Sequence, residues 1–277
     1  MVSRTPAMFA LSAMQLDMGS LAGNTEISHL VGGESPMTYS IAGRCARTGM
    51  LGTIITTSSM AVGNRCHFIK AGVGAVLTQH RTDPRLGPLG LEFLQLGLTP
   101  EETIKALVSS TRHHGWRQLA VLDAKGRSAH YSGGKIRSIH AGVSGKDCVA
   151  IGNVIRSTEV PAAMVRAFEA EPGKPIGDRL CAALKAGHEA GGEFKQVTSA
   201  GLLVFAEHPF PYVDLRIDDH PDPIAEIARL WKQWAPDADN YVKRVYDPDS
   251  PEANALSVGY LTAEEAKAVL AKEKAGR

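Results

Sequence analysis

Five hydroxyl side chains, Thr38, Ser40, Thr57, Ser58 and Ser59, stand where chemistry could begin. Thr38-Tyr39-Ser40-Ile41-Ala42 alternates in the manner of a strand, and Leu51 to Thr57 is rich in β-branched residues. Between them, Ala46-Arg47-Thr48-Gly49 supplies a turn with glycine where a positive φ is wanted. A hairpin centred on Arg47-Thr48 sets Thr38 opposite Thr57, with Ser58 and Ser59 just beyond. The hydroxyls then gather at one sheet end, where one of them can serve as a nucleophile. The same residues also fit a plainer reading, β-favouring threonines and a polar strand terminus.

A nucleophile needs donors for the oxyanion it creates. Gly152-Asn153, closing the apolar stretch Cys148 to Ile151, offers backbone N–H groups or the Asn153 amide. Gln79, closing the strand Gly72 to Gln79, is a second candidate. Other clusters read as structural. Asp218-Asp219-His220-Pro221-Asp222 is expected to be a turn capping a helix rather than a metal site. His113-His114 lacks a partner at helical spacing. Asp214 and Arg216 share one face of a strand and are expected to pair.

The elements that position these residues follow a clear order. After the first hairpin and third strand, Asp83-Pro84-Arg85-Leu86-Gly87-Pro88-Leu89-Gly90 reads as loop from its Pro and Gly. Thr99, Pro100 and Glu102 form a capping box that starts a helix with Ile104, Leu107 and Val108 on one face. Arg117 to Asp123 and Ser128 to Tyr131 are strands around the turn Ala124 to Arg127. Helices over Val160 to Ala170 and Ile176 to Ala186 precede strands over Ser199 to Ala206 and Tyr212 to Ile217. Asp222-Pro223 opens a helix whose Trp231 and Trp234 face is core or an oligomer contact. A second box, Thr262 to Glu265, opens a charged tail helix. Hairpins with helices in separate blocks predict an α+β fold.

The 277 residues are 44% apolar, enough for a sizeable core, and the net charge is +1 with both signs mixed. No basic patch or long apolar span marks a nucleic-acid or membrane partner. Cys45, Cys66, Cys148 and Cys181 form no CxxC pair, so buried free thiols in a cytoplasmic protein are expected. Residues 1–36 stand apart as an extension: a propeptide, a flexible arm, or the product of a start upstream of Met37.

Met37-Thr38-Tyr39-Ser40-Ile41-Ala42-Gly43-Arg44 and Thr56-Thr57-Ser58-Ser59-Met60-Ala61-Val62-Gly63 resemble the opening of the DUF1028 family. So do Arg65 to Gln79 and Thr82-Asp83-Pro84-Arg85-Leu86-Gly87-Pro88. Arg117 to Val121, Ala150-Ile151-Gly152-Asn153, Ser199 to Val204, Asp214-Leu215-Arg216 and Asp222-Pro223-Ile224 continue the likeness. It spans residues 37–247, leaving 248–277 as a tail helix. The resemblance implies an N-terminal-nucleophile (Ntn) hydrolase-like fold, a four-layer αββα sandwich of antiparallel sheets. It also implies a mechanism in which one threonine is both nucleophile and, through its free α-amine, base. Thr38 is the residue so placed, provided that Met37 and all before it are removed. In proteasome-type relatives a lysine lowers the nucleophile's pKa, and Lys70 is the candidate here.

The function expected on this basis is an amidohydrolase acting on a small amide, ureido or cyclic imide substrate. It needs neither metal nor organic cofactor and is expected to be a homo-oligomer. Thr38, Lys70 and Asn153 would be catalytic, with Thr57, Ser58, Ser59 and Gln79 lining the substrate site and 83–90 as a wall. The alternative is a non-catalytic small-ligand-binding or scaffold protein on the same fold. A third possibility is self-processing between Met37 and Thr38 alone.

Overall fold

Two antiparallel sheets and seven helices make up a mixed α+β fold in the computed structural model, which describes residues 37–251 and 262–275. These fall in one unit, Ser35–Arg277, and the expected extension at 1–36 lies outside the described residues. The larger sheet contains β1 (Thr38–Arg44), β2 (Leu51–Thr57), β7 (His140–Gly145), β8 (Cys148–Asn153), β9 (Ser199–Phe205) and β10 (Val213–Ile217), in the order β10-β9-β2-β1-β8-β7. The smaller contains β3 (His67–Lys70), β4 (Gly74–Gln79), β5 (Gln118–Asp123) and β6 (Ser128–Ser132), in sequence order.

The first hairpin forms in the expected register, with Thr38 opposite Thr57 and Arg44 opposite Leu51. Gly49 closes its turn at φ 74°, and Cys45 N donates to Met50 O at 2.8 Å. β1 is paired on its other side to β8, where Thr38 faces Asn153.

Side-chain alternation along β1 separates two apolar layers. Tyr39 and Ile41 pack with Ile54 and Ala150 against α3 (Glu159–Ala170) and α4 (Ile176–Glu189), through Met164, Phe168, Leu180 and Leu184. Ala42 points the other way, with Leu51, Val149 and Ile151, against Ala75, Leu77, Ala120 and Leu122 of the smaller sheet. That sheet's opposite face carries Val76, Leu119 and Val121, covered by α1 (Leu86–Gln95) and α2 (Pro100–Ser110). Both faces of each central strand are therefore buried, and β1, β2, β4, β5 and β8 have almost no exposed residue.

The caps behave as their sequences predict. Thr99 accepts from Glu102 N at 3.2 Å, while Glu102 Oε2 accepts from Thr99 N at 2.8 Å. Asp222 caps α5 (Pro223–Trp234) by accepting from Ala225 N at 3.1 Å. Trp231 is core: its ring lies against Gly177 and its Nε1 donates to Asp178 at 2.7 Å. Arg216 and Asp214 pair at 3.6 Å. α6 (Ala238–Tyr246) follows, and α7 (Ala263–Ala275) is the expected tail helix, capped by Thr262 and Glu265.

One stretch differs from expectation. Residues 86–90, read as loop, begin α1. Pro88 sits in the helix's first turn, where a missing N–H costs nothing. Gly87 lets the backbone meet the Phe68 ring, because a Cβ there would come within 2.1 Å of it. Helix–sheet contact decides this segment against its local propensity.

Candidate functional site

β1 begins at Thr38, and its flanking strands β2 and β8 end beside it, at Thr57 and Asn153. The Thr38 hydroxyl is on the face between the two sheets and donates to Thr57 Oγ1 at 3.4 Å. Thr57 Oγ1 in turn donates to the carbonyl oxygen of Met37. The direction of the Thr38 amide follows from the ladder. Arg44 N donates toward β8, at Asp147 O, and Cys45 N donates toward β2, at Met50 O. Even-numbered residues of β1 therefore turn their backbone groups to β8, so the Thr38 amide faces Asn153.

Buried amides tie the sheets together at this end. Ser40 Oγ donates to Gln79 Oε1 at 2.8 Å. Gln79 Nε2 donates to Thr38 O at 3.2 Å and to Gln118 Oε1 at 2.8 Å. Asn153 Nδ2 donates to the same Gln118 oxygen at 3.1 Å. Gln118 Nε2 reaches Gly152 O, Ala141 O and Ser132 Oγ, all at 3.0–3.1 Å. Asn153 Oδ1 is buried without a partner among the described residues. Its side chain thus presents an acceptor rather than a spare donor.

A cation lies behind the hydroxyls. Arg65 donates to Ser59 Oγ at 2.8 Å, and Ser59 Oγ is 3.4 Å from Thr57 Oγ1. Ser58 contributes its backbone N–H, which donates to Glu193 Oε2 at 3.0 Å. Glu193 is buried, and desolvation pushes its carboxyl well above the usual carboxylate range, with Ser58 opposing the shift. Tyr39 is shifted up as well, by burial and then by the Glu193 charge. His80 follows Gln79, stacks on Trp116 and is held below the ordinary histidine value, mainly by burial.

Backbone strain gathers at the same end. Positive φ occurs at Ala61 (55°), His80 (55°), Arg81 (47°) and Val154 (52°). These follow the site's Ser59, Gln79 and Asn153 by one or two residues. Val154 is the costliest, because a β-branched side chain crowds the left-handed backbone. Such strain persists only where surrounding contacts dictate the conformation, as they do at functional sites.

The family described as DUF1028, a family of unknown function, matches residues 38–227. The chain belongs to the DUF1028 family. A crystal structure of a DUF1028 protein from Silicibacter pomeroyi is similar to it, with a TM-score of 0.70 and 29% identity over 75% of this chain and 91% of that one. An ancestral beta-subunit (Anbu) from Yersinia bercovieri is similar at a TM-score of 0.36 and 11% identity, over 70% of this chain and 93% of that one. No curated protein sequence matches the chain.

In this DUF1028 protein, Thr38, Thr57, Ser58, Ser59, Gln79 and Asn153 come together as their sequence positions suggest. Lys70 does not, which corrects its expected place beside Thr38. It pairs with Gly74 at the opposite end of β4 from Gln79, about 16 Å away at roughly 3.3 Å per residue. It is exposed and donates to Gln95 Oε1 at 2.5 Å. β3 starts with His67 opposite Leu77, near the Gln79 end, and runs away from the site, so Lys70, its last residue, reaches the hairpin at the far end. The expected wall at 83–90 is also displaced, since α1 lies on the outer face of the smaller sheet.

Sequence reading missed Gln118, Glu193 and Arg65. Gln118 had a signal: it shares strand parity with core-facing Ala120 and Leu122, where an amide is out of place unless bonded. Glu193 had none, because it follows Gly191 and Gly192 in an aperiodic connection.

Proposed function

We propose that this protein is an amidohydrolase of the Ntn type, with Thr38 as its nucleophile when Thr38 is the first residue of the chain. The observation that carries this reading is the hydroxyl pair Thr38 and Thr57. Thr57 already donates to a carbonyl oxygen beside Thr38 Oγ1, that of Met37. With Met37 gone, the same donor is free for a substrate carbonyl. The succession of apolar layers, helices on sheet, sheet on sheet and sheet on helices, supports the four-layer αββα reading.

In this scheme Thr38 Oγ1 attacks the carbonyl carbon of a small amide, ureido compound or cyclic imide. Its proton passes to the Thr38 α-amine, whose unperturbed pKa lies near neutrality. The substrate C–N bond breaks, the leaving nitrogen takes that proton, and the acyl group remains as an ester on Thr38. Water adds to the ester, the acid leaves, and the hydroxyl is restored. Gln79 holds the Thr38 carbonyl and fixes the nucleophile's orientation.

One observation favours the second reading, a non-catalytic ligand-binding or scaffold protein. Thr38 is 2% exposed and is joined to a Met37 that is equally buried. The deciding experiment compares the 277-residue chain with one processed to begin at Thr38, on a panel of amides, ureido compounds and cyclic imides. Turnover is expected only from the processed form, and Thr38→Ala should abolish it without loss of folding. Equal turnover by Thr38→Ala would sink the proposal.

A further inference from the structure

Glu193, in the connection from α4 to β9, is a buried carboxyl without a cation partner among the described residues. It is 5% exposed, Oε2 accepts from Ser58 N, and Oε1 is buried with no partner among the described residues. The Arg156 guanidinium is used elsewhere, donating to the main-chain oxygens of Glu193 at 2.8 Å and Phe194 at 3.1 Å. A buried acceptor left open in this way is expensive unless something fills it.

The ladder indicates what fills it. Thr38 faces Thr57 on one side and Asn153 on the other. The same register carried one step further sets residue 37 beside Ser58 and Val154. Glu193 spans that row: it is bonded to Ser58 at the end of β2 and bridged to Ile155 just past β8. When Thr38 begins the chain, its α-nitrogen borders that row, with Glu193 across it and Asn153 Oδ1 on the strand it faces. An ammonium brings three donors and a positive charge, which match one carboxylate and one open carbonyl oxygen.

We propose that Glu193 is the receptor for the Thr38 α-ammonium, a positioning residue that orients the amine and sets its pKa. This rests on the reading that Thr38 becomes a chain terminus. The carboxylate stabilises the charged amine and so raises its pKa, while the amine keeps Glu193 ionised. The neutral amine that takes the Thr38 hydroxyl proton then forms at higher pH and is a stronger base. The groups around Glu193 are Tyr39 of β1, whose hydroxyl meets His188 of α4 at 3.4 Å, Arg156 after β8, and Ser58 after β2, with Arg65 beyond Ser59.

The test needs no substrate. Protein beginning at Thr38 is labelled with 13C at threonine, and the amine is titrated through the Thr38 Cα shift. In the wild type the amine should titrate above the ordinary α-amine range of about 7.7–8.0. Glu193→Gln should lower that value by about one pH unit or more, and Glu193→Asp should lower it by less. A value unchanged in Glu193→Gln overturns the proposal. If that variant does not fold, an unchanged value in Glu193→Asp overturns it equally. Shifted titration without turnover of any amide would sink the hydrolase reading and leave the receptor standing. Turnover with an unshifted amine would do the reverse.

Discussion

Gln118 of β5 and Asn153 of β8 meet across the gap between the sheets, with Asn153 Nδ2 donating to Gln118 Oε1 at 3.1 Å. The same oxygen takes Gln79 Nε2, so one side chain joins both neighbours of Thr38. Gln118→Leu would leave Asn153 Nδ2 without its partner in the interior and take from Gln79 Nε2 one of its two. Stability should fall by about 2–4 kcal/mol, read from chemical denaturation. Turnover by the processed form should fall with it, because Gln79 would lose the contact that aims it at Thr38.

His67 gives the fold an acid-side pH dependence. It is buried on the inter-sheet face, 3.0 Å from Thr53 Oγ1, and burial lowers its pKa from 6.5 to about 4, with Arg216 adding to the effect. Between those values the unfolded chain binds the proton and the folded chain does not, so stability falls as pH drops from about 6.5 to about 4. The ceiling is roughly 3 kcal/mol. Melting temperature against pH should show the loss, and His67→Gln should flatten that limb.

Glu193 acts with the opposite sign. Its folded pKa is raised, so the unfolded chain releases its proton first, and stability is lost as pH rises past the ordinary 4.5. In the chain that retains Met37, Glu193→Gln should therefore raise the melting temperature at pH 7.5 and change it little at pH 4.5. A lower melting temperature at pH 7.5 would contradict this account of the unpaired carboxyl.

Lys70→Ala should leave both turnover and stability within about 0.5 kcal/mol of wild type, because Lys70 is exposed and remote from Thr38. Steady-state kinetics of the processed form and its melting temperature check both halves.

How far the sequence leads depends on how local each determinant is. The Thr38–Thr57 register follows from one turn and one glycine, and the caps at Thr99 and Asp222 follow from residues three apart. Both were legible. α1 was not, because the Phe68 and Val76 surface that accepts Gly87 and Gly90 comes from a different element. Lys70 failed because linear spacing carries no information about which end of a hairpin faces another sheet. Gln79 and Asn153 were visible as polar strand ends, yet their partner Gln118 emerges only when two sheets are stacked. Glu193 owes its place to a connection with no period at all.

β1 is an interior strand, paired along its length with β2 and β8. Chain ends usually fray. A chain opened before Thr38 would instead have a terminus anchored from its first residue, with the slow amide exchange of a core strand. The fold would thus give a newly made end almost no orientational freedom. The entropy of aiming it at a substrate would already be spent when the protein folds, before any substrate arrives.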